Sequence, residues 1–261
     1  WRAQRENPFT SAEREAFRRR CEHERLERQA EQARRHAEAR DKARSLWVAA
    51  TRVADLHSYL RRKRVKSYGL RLYHGALVIA GMPCDGCLIV PARDTGGGLH
   101  TLEFIHSDNK RFFPGGDYKA HYFSIGKPDG TLCIAEGYAT GATVHDATGH
   151  AVAVAFTAGN LTPVARALRA KYPKTKIILC ADNDRFTPGN PGVTRAAEAA
   201  RSAGGFLAVP RFDGAGPYDY YQGRASGPMA DRRTDFNDVQ AIAIAGVQAA
   251  IANAAEPGEV G

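Results

Sequence analysis

Between Thr131 and residue 253 the sequence alternates between two textures, and this alternation constrains the fold more than any other feature. The apolar runs TLCIA (131–135), AVAVAF (151–156), KIILCA (176–181) and GFLAVP (205–210) each lead into a stretch of helical spacing, at roughly 139–148, 162–172, 192–203 and 238–253. Parallel strands need long crossovers, and helices are their usual form, so strand–helix alternation at this spacing predicts an α/β unit. Its sheet should be mostly parallel, with helices on both faces. In open sheets of this kind ligands bind beyond the carboxyl ends of the strands. Glu136 directly follows the first run, and Asp182 and Asp184 end the third in ILCADND. All three acids therefore fall at the edge where a ligand would sit.

Upstream the texture differs. From Leu70 to Ser124 short apolar runs alternate with turn residues, which predicts a small antiparallel sheet, with the glycines of DTGGG (94–98) forming a hairpin loop. Residues 10–60 read as helix, opened by a capping box of Thr10 and Glu13 and laced by the pairs Glu15/Arg19, Glu24/Arg28, Glu31/Arg35 and Glu38/Lys42. As far as Arg44 its apolar residues are mostly Ala, with Phe17 and Leu26 the large ones, so this part should project or pack loosely. Leu46 to Leu60 is richer and should dock on a core.

Charge is equally uneven. Residues 1–71 carry 20 Lys/Arg against 10 Asp/Glu, whereas the remaining 190 carry 17 against 18. A basic first quarter fits a phosphate backbone as partner. The densest cluster is Arg61, Arg62, Lys63, Arg64 and Lys66. No apolar run reaches the 18 residues of a membrane span. Five cysteines suit a reducing cytoplasm better than a disulfide framework. Trp1 in place of an initiator Met reads as a piece of a longer protein, and no signal peptide is evident.

Carboxylates crowded at one sheet edge repel unless positive charge lies between them. Oxygen ligands with no His or Cys nearby select a hard ion, Mg²⁺ or Mn²⁺, and such ions act mainly on phosphates. Gly137 would let backbone approach a phosphate closely. TDFND (234–238) offers Asp235 and Asp238 as further acids. Cys84 and Cys87 would be half of a zinc site, but Cys133 and Cys180 sit inside strand runs, so incidental thiols are the preferred reading and zinc is not expected. The histidines lack metal spacing. Asn190-Pro191-Gly192 suits either a phosphate at a helix start or plain punctuation.

The order Glu136-Gly137 followed by Asp182-x-Asp184 resembles the TOPRIM domain shared by bacterial primases, topoisomerases and some nucleases. EGYATG (136–141) is similar to the EGYATA signature of primases from conjugative plasmids and satellite phages. Gly141 stands for the usual Ala, a change expected to leave the strand–helix turn intact. TDFND resembles the third acidic element of primase TOPRIM domains, with Thr234 for Lys and Asp238 for Glu. IVPARD (89–94), LEFI and NKRFFPGG (109–116) resemble the basic subdomain that precedes TOPRIM in bacterial-type primases, over a similarity spanning about 60–255.

The resemblance implies a charged helical region at 1–57, a basic α+β template-binding subdomain at 58–128, a catalytic α/β TOPRIM domain at 129–255 and a tail. It implies a DNA primase core, a nucleotidyltransferase making primers on single-stranded DNA from NTPs in plasmid or mobile-element replication. Glu136, Asp182 and Asp184 would hold two divalent ions, assisted by Asp235 and Asp238. Arg93, Lys110 and Arg111, with Lys119 behind them, would face template and nucleotide. A fused or associated helicase or zinc-binding domain would lie outside this chain. The alternatives are a TOPRIM nuclease using the same acids and a non-catalytic module that binds nucleic acid and replication partners.

Overall fold

A computed structural model describes residues 10–52, 55–107, 109–210, 218–219, 224–225, 234–237 and 244–258. Helix α1 (Ser11–Ala49) opens on the expected capping box: Glu13 N–H donates to Thr10 Oγ1 at 3.2 Å, and Thr10 N–H donates to the Glu13 carboxylate at 2.8 Å. Its 39 residues extend about 58 Å. The ion pairs Arg19–Glu15, Arg28–Glu24 and Arg35–Glu31 form along it, and Glu38 pairs with Arg34. Only Ala39 and Ala43 are buried within it.

The helix does not continue to residue 60. Ala50 turns extended, and β1 (Thr51–Arg52) pairs antiparallel with β2 (Arg71–Leu72), giving the β-branched Thr51 a strand partner. Leu56, expected to dock, is 78% exposed. A separate short helix, α2 (Ser58–Lys63), follows, capped by His57 and ended by Arg64 in the left-handed region. It buries Tyr59 and Leu60.

The first sheet has the order β1-β2-β5-β6-β7, with β5 (Leu88–Arg93), β6 (Leu99–His106) and β7 (Asn109–Phe112) antiparallel. Beside it lies a small hairpin of β3 (Val78–Ile79) and β4 (Met82–Pro83). Asp94 closes the glycine loop by accepting from the N–H groups of Gly96 and Gly98. Alternation along β6 sends Leu102 and Phe104 into a cluster with Ala43, Ile89, Cys84 and Cys87 beneath α1. Burial pushes the Cys87 thiol up to about 12, which suits an inert core residue. Ile105 points to the opposite face.

The second sheet has the order β12-β11-β9-β10-β8, from β8 (Phe123–Ile125), β9 (Thr131–Ala135), β10 (Ala151–Val154), β11 (Lys176–Cys180) and β12 (Phe206–Ala208). All neighbours are parallel except β8, which runs antiparallel to β10 along one edge. Helices α3 (Tyr138–Thr148) and α6 (Ile244–Ala252) cover one face, and α4 (Ala158–Lys171) and α5 (Pro191–Ala203) the other. Residues 238–243, expected to begin the last helix, lie outside the described set. The pair β13 (Tyr218–Asp219) and β14 (Arg224–Ala225) completes the strands. The core on the α3 side also takes in Tyr59, Leu60, Leu88, Val90 and Ile105, so the two sheets share one hydrophobic cluster.

Candidate active site

Strand β9 ends at Ala135, and Glu136 is the next residue, followed by Gly137 as N-cap of α3. The Glu136 carboxylate accepts the N–H of Ala158, the first residue of α4, so it lies at the start of one helix and beside the start of another. Strand β11 delivers Asp182 and Asp184. The Asp184 carboxylate accepts the Gly192 N–H at 3.0 Å and thereby caps α5. The Asn190-Pro191-Gly192 turn therefore serves Asp184. A Cβ on Gly192 would come within 2.2 Å of the Asp182 carbonyl, so the glycine is there for close approach, beyond its place as helix-start punctuation. Asn183 holds the loop between, its N–H donating to Thr234 and its side chain to Pro210.

These acids meet a cation from the other sheet. A cavity of about 200 Å³ is lined by Glu136, Gly137, Thr140, Asp182 and Asp235, and by Tyr59, Lys63 and Lys110. Lys110 Nζ lies 3.5 Å from where a Gly137 Cβ would sit, so the ammonium stands directly beside the start of α3. Burial opposes the charge on Lys110. The surrounding Tyr59, Glu103, Asp182 and Glu136 outweigh that opposition and hold its pKa above the ordinary lysine value.

The acids respond in the opposite sense. Burial, then repulsion from Asp235, Glu136 and Asp184, drives Asp182 well above the carboxylate range, with Lys110 pulling against it. Burial likewise raises Glu136, against the Ala158 amide and Lys110. Asp182 Oδ1 is buried without a hydrogen-bond partner. Among the described residues no three His, Cys, Asp or Glu side chains are grouped so as to hold a metal ion. The positive charge between these acids comes from Lys110.

The other candidate residues scatter. Asp235 reaches the cavity, while Asp238 lies outside the described residues. Arg93, half-buried, stacks 5.7 Å over Trp47 and donates to the Gly97 carbonyl, away from the acids. Arg111 is turned to the opposite face of β7, paired across from Phe104 under α1. Lys119 is exposed in the loop after β7. In the basic cluster only Lys63 lines the cavity. Arg62 donates to the Ser107 carbonyl at 3.0 Å, Lys66 pairs with Asp146 at 3.3 Å, and Arg61 and Arg64 are exposed.

Sequence reasoning missed three residues. Glu103, on β6, is 4% exposed and faces Lys110 diagonally across the β6–β7 ladder, since Ile105 pairs with Lys110 and Glu103 with Phe112. Burial raises its pKa to about 7 despite Lys110. An acidic residue in a strand-period run reads by default as a solvent-facing position, so the sequence carried no signal for its burial. Asn237, within TDFND, donates to the Lys63 carbonyl at 2.7 Å and to Thr143 Oγ1 at 3.0 Å, tying α2 to α3 behind the cavity. Tyr138 donates to the Lys66 carbonyl at 2.6 Å and makes a second tie.

Comparison with known proteins bears on the family and the fold. Residues 130–209 match the family model of the Toprim domain. Over 133 residues the chain is 41% identical to DNA primase TraC of Escherichia coli, covering 47% of this chain and 12% of that protein. The chain thus spans about an eighth of that relative's length. In structure it is similar to a DnaG primase catalytic domain described as bound to ssDNA, with a TM-score of 0.54, 13% identity and coverage of 86% of this chain and 81% of that one. It is also similar to the zinc-binding and RNA polymerase domains of the Aquifex aeolicus primase, with a TM-score of 0.52 and 12% identity, covering 84% and 60%. Residues 130–209 are thus similar to the Toprim domain, in a chain that has the fold of bacterial primase catalytic domains and resembles the TraC primase in sequence.

Proposed function

We propose that this chain is the catalytic core of a TraC-like DNA primase from a plasmid or mobile element, joining ribonucleotides on a single-stranded DNA template. The observation that carries the reading is the placement of Lys110, which a strand of the first sheet inserts among Glu136, Asp182 and Asp235 of the Toprim side. Such a site needs both sheets, and the primase likeness extends over both.

The oxygen-only donors and the unpartnered Asp182 Oδ1 fit a hard divalent ion, Mg²⁺ or Mn²⁺. Glu136, Asp182 and Asp184, which are not drawn together as a ligand set in this structure, would close on it with Asp235 assisting, and Asp238 is a candidate outside the described residues. When bound, two such ions supply activation of an attacking hydroxyl and neutralisation of phosphate oxygens. The chain's own residues do the rest. Lys110 and Lys63 bring positive charge to the cavity wall. The α3 N-terminus carries no side-chain cap at Gly137, which leaves its first amides to face an anion. Tyr59 and Phe156 complete the cavity wall. Arg93, Arg111, Lys119 and the exposed Arg61 and Arg64 lie outside this cavity and are proposed as template contacts. A zinc-binding or helicase domain belongs to the remainder of a longer protein.

The test is incorporation of labelled NTPs on single-stranded DNA, run beside supercoiled plasmid. Primers in the first reaction support the reading. Nicks in the second without primers overturn it in favour of a nuclease.

A further inference from the structure

Helix α1 leaves the body of the protein near Arg35, and the face it carries outward is sorted by charge. Ala39, Ala43 and Leu46 dock on the first sheet, with Ala39 against Gly115. Stepping back from Ala39 by three or four residues keeps to the same side of the helix and reaches Arg35, Gln32, Arg28, Arg25, Cys21, Arg18 and Arg14. The acids Glu13, Glu15, Glu22, Glu24, Glu27, Glu31 and Glu38 flank this line, Glu24 and Glu31 lying one turn from Arg28 and Arg35.

The docking seam thus continues as a basic stripe about 30 Å long, overhanging the body. A groove of about 620 Å³ opens where helix and body part, lined by Glu27, Arg28, Glu31, Gln32, Arg35, His36 and Gly115. Gly115 belongs to the loop after the edge strand β7. That strand presents Lys110 on the cavity side and Arg111 on the α1 side, so groove and cavity flank one strand.

We infer that the α1 stripe is an arm that holds a nucleic-acid strand against the edge of the first sheet, alongside β7. The occupant follows from charge: the stripe bears five arginines and no acid at regular spacing, which suits a phosphate backbone rather than a protein groove. Arg25, Arg28 and Arg35 are paired to Glu22, Glu24 and Glu31, but exposed pairs of this kind are weak and can yield to phosphates. Leu26 lies off the stripe, and Phe17, four residues before Cys21 on the stripe side, is too isolated to build an apolar seam for a second copy. The inference rests on the primase reading only in taking single-stranded DNA as the probe.

The experiment compares two quadruple variants of the whole chain. One replaces Arg14, Arg18, Arg25 and Arg28 by Gln. The other replaces Arg19, Arg20, Arg34 and Arg44 by Gln, the same change in charge off the stripe. Gln matches Arg closely in helix propensity, so circular dichroism should find both as helical as wild type. Binding of a labelled single-stranded oligonucleotide is followed by anisotropy across a salt series, in EDTA and without nucleotides, so that catalysis does not enter. We expect the stripe variant to lose about 0.7 units of salt slope per phosphate contact, up to ~3 in all, and the control to lose little. Cys21, the exposed cysteine on the stripe, then takes a benzophenone label, the other cysteines being buried. Illumination should join Cys21 to the oligonucleotide. Equal slope losses in the two variants would overturn the inference. So would a protein–protein adduct at Cys21 in place of the DNA adduct, which would make the stripe a seam between copies. Failure of primer synthesis by wild type, with the slope difference intact, would sink the primase reading and leave the arm standing.

Discussion

Glu136 and Glu103 are two buried acids with different consequences for chemistry and stability. Burial and the neighbouring Asp184 already disfavour charge on Glu136. Glu136→Gln should therefore fold at least as well as wild type in EDTA, keeping an oxygen to accept the Ala158 amide. It should bind single-stranded DNA normally yet lose at least ~100-fold in primer synthesis, the scale of removing one preorganised charge. Primer synthesis at the wild-type rate would reduce Glu136 to a helix cap. Glu103 acts on stability through pH. The fold holds its proton to about 7, against an ordinary value of 4.5. Its contribution is complete below 4.5 and is lost as pH rises through about 7, a span worth at most about 3 kcal/mol. Glu103→Gln keeps the neutral form at every pH. In EDTA its melting temperature should fall less than that of wild type between pH 5 and 8, with the variant the more stable at pH 8. Parallel pH curves for the two proteins would contradict the role of Glu103. Glu136 was legible because it closes an apolar run just before a glycine, and Glu103 was not, because nothing in LEFI tells which face of the strand is buried.

Among the elements, the glycines show how closely helices approach the second sheet. A Cβ at Gly141 would meet Val154 Cγ2 at 2.8 Å, and one at Gly192 would meet the Asp182 carbonyl at 2.2 Å. Valine methyls can give a little, whereas a backbone carbonyl in a tied loop cannot. Overpacking costs about 1–3 kcal/mol, and Ala recovers up to about 1 kcal/mol in helix propensity. Gly141→Ala, which restores the usual signature residue, should therefore lower the melting temperature by a few degrees at most. Gly192→Ala should lower it further and also weaken the Mn²⁺-induced thermal shift, since it displaces Asp182 and Asp184. The reverse order of damage would mean that the α5 contact is soft. The strand–helix alternation was readable from residues 131–208 because each buried parallel strand is a continuous apolar run. The end of α1 at Ala49 was not, since helical spacing persists to Leu60 while Thr51 is recruited by Leu72, some twenty residues away in sequence. The turn of Arg111 away from the acids was equally hidden, because adjacent strand residues alternate faces and no motif states which side the site is on.

At the scale of the whole molecule, the two sheets differ in pattern but are joined by packing. Leu88, Val90 and Ile105 of the first sheet and Cys133, Val152 and Ile178 of the second belong to one hydrophobic cluster, with Tyr59 and Leu60 of α2 between them. Asn237 and Tyr138 add hydrogen bonds across the same junction. Neither sheet can open without exposing the other's core, so the body should unfold as a single cooperative unit. Calorimetry is expected to give one transition whose van't Hoff and calorimetric enthalpies agree, and primer synthesis should vanish at that same temperature. Two separated transitions would show that the shared cluster couples weakly. The first 25 residues of α1, which bury nothing, should exchange their amide hydrogens long before the body does. The junction that brings Lys110 to the acids is therefore also the weakest place to cut the gene: a piece containing only the second sheet would present Tyr138, Phe123 and Ile125 to water and be prone to aggregate.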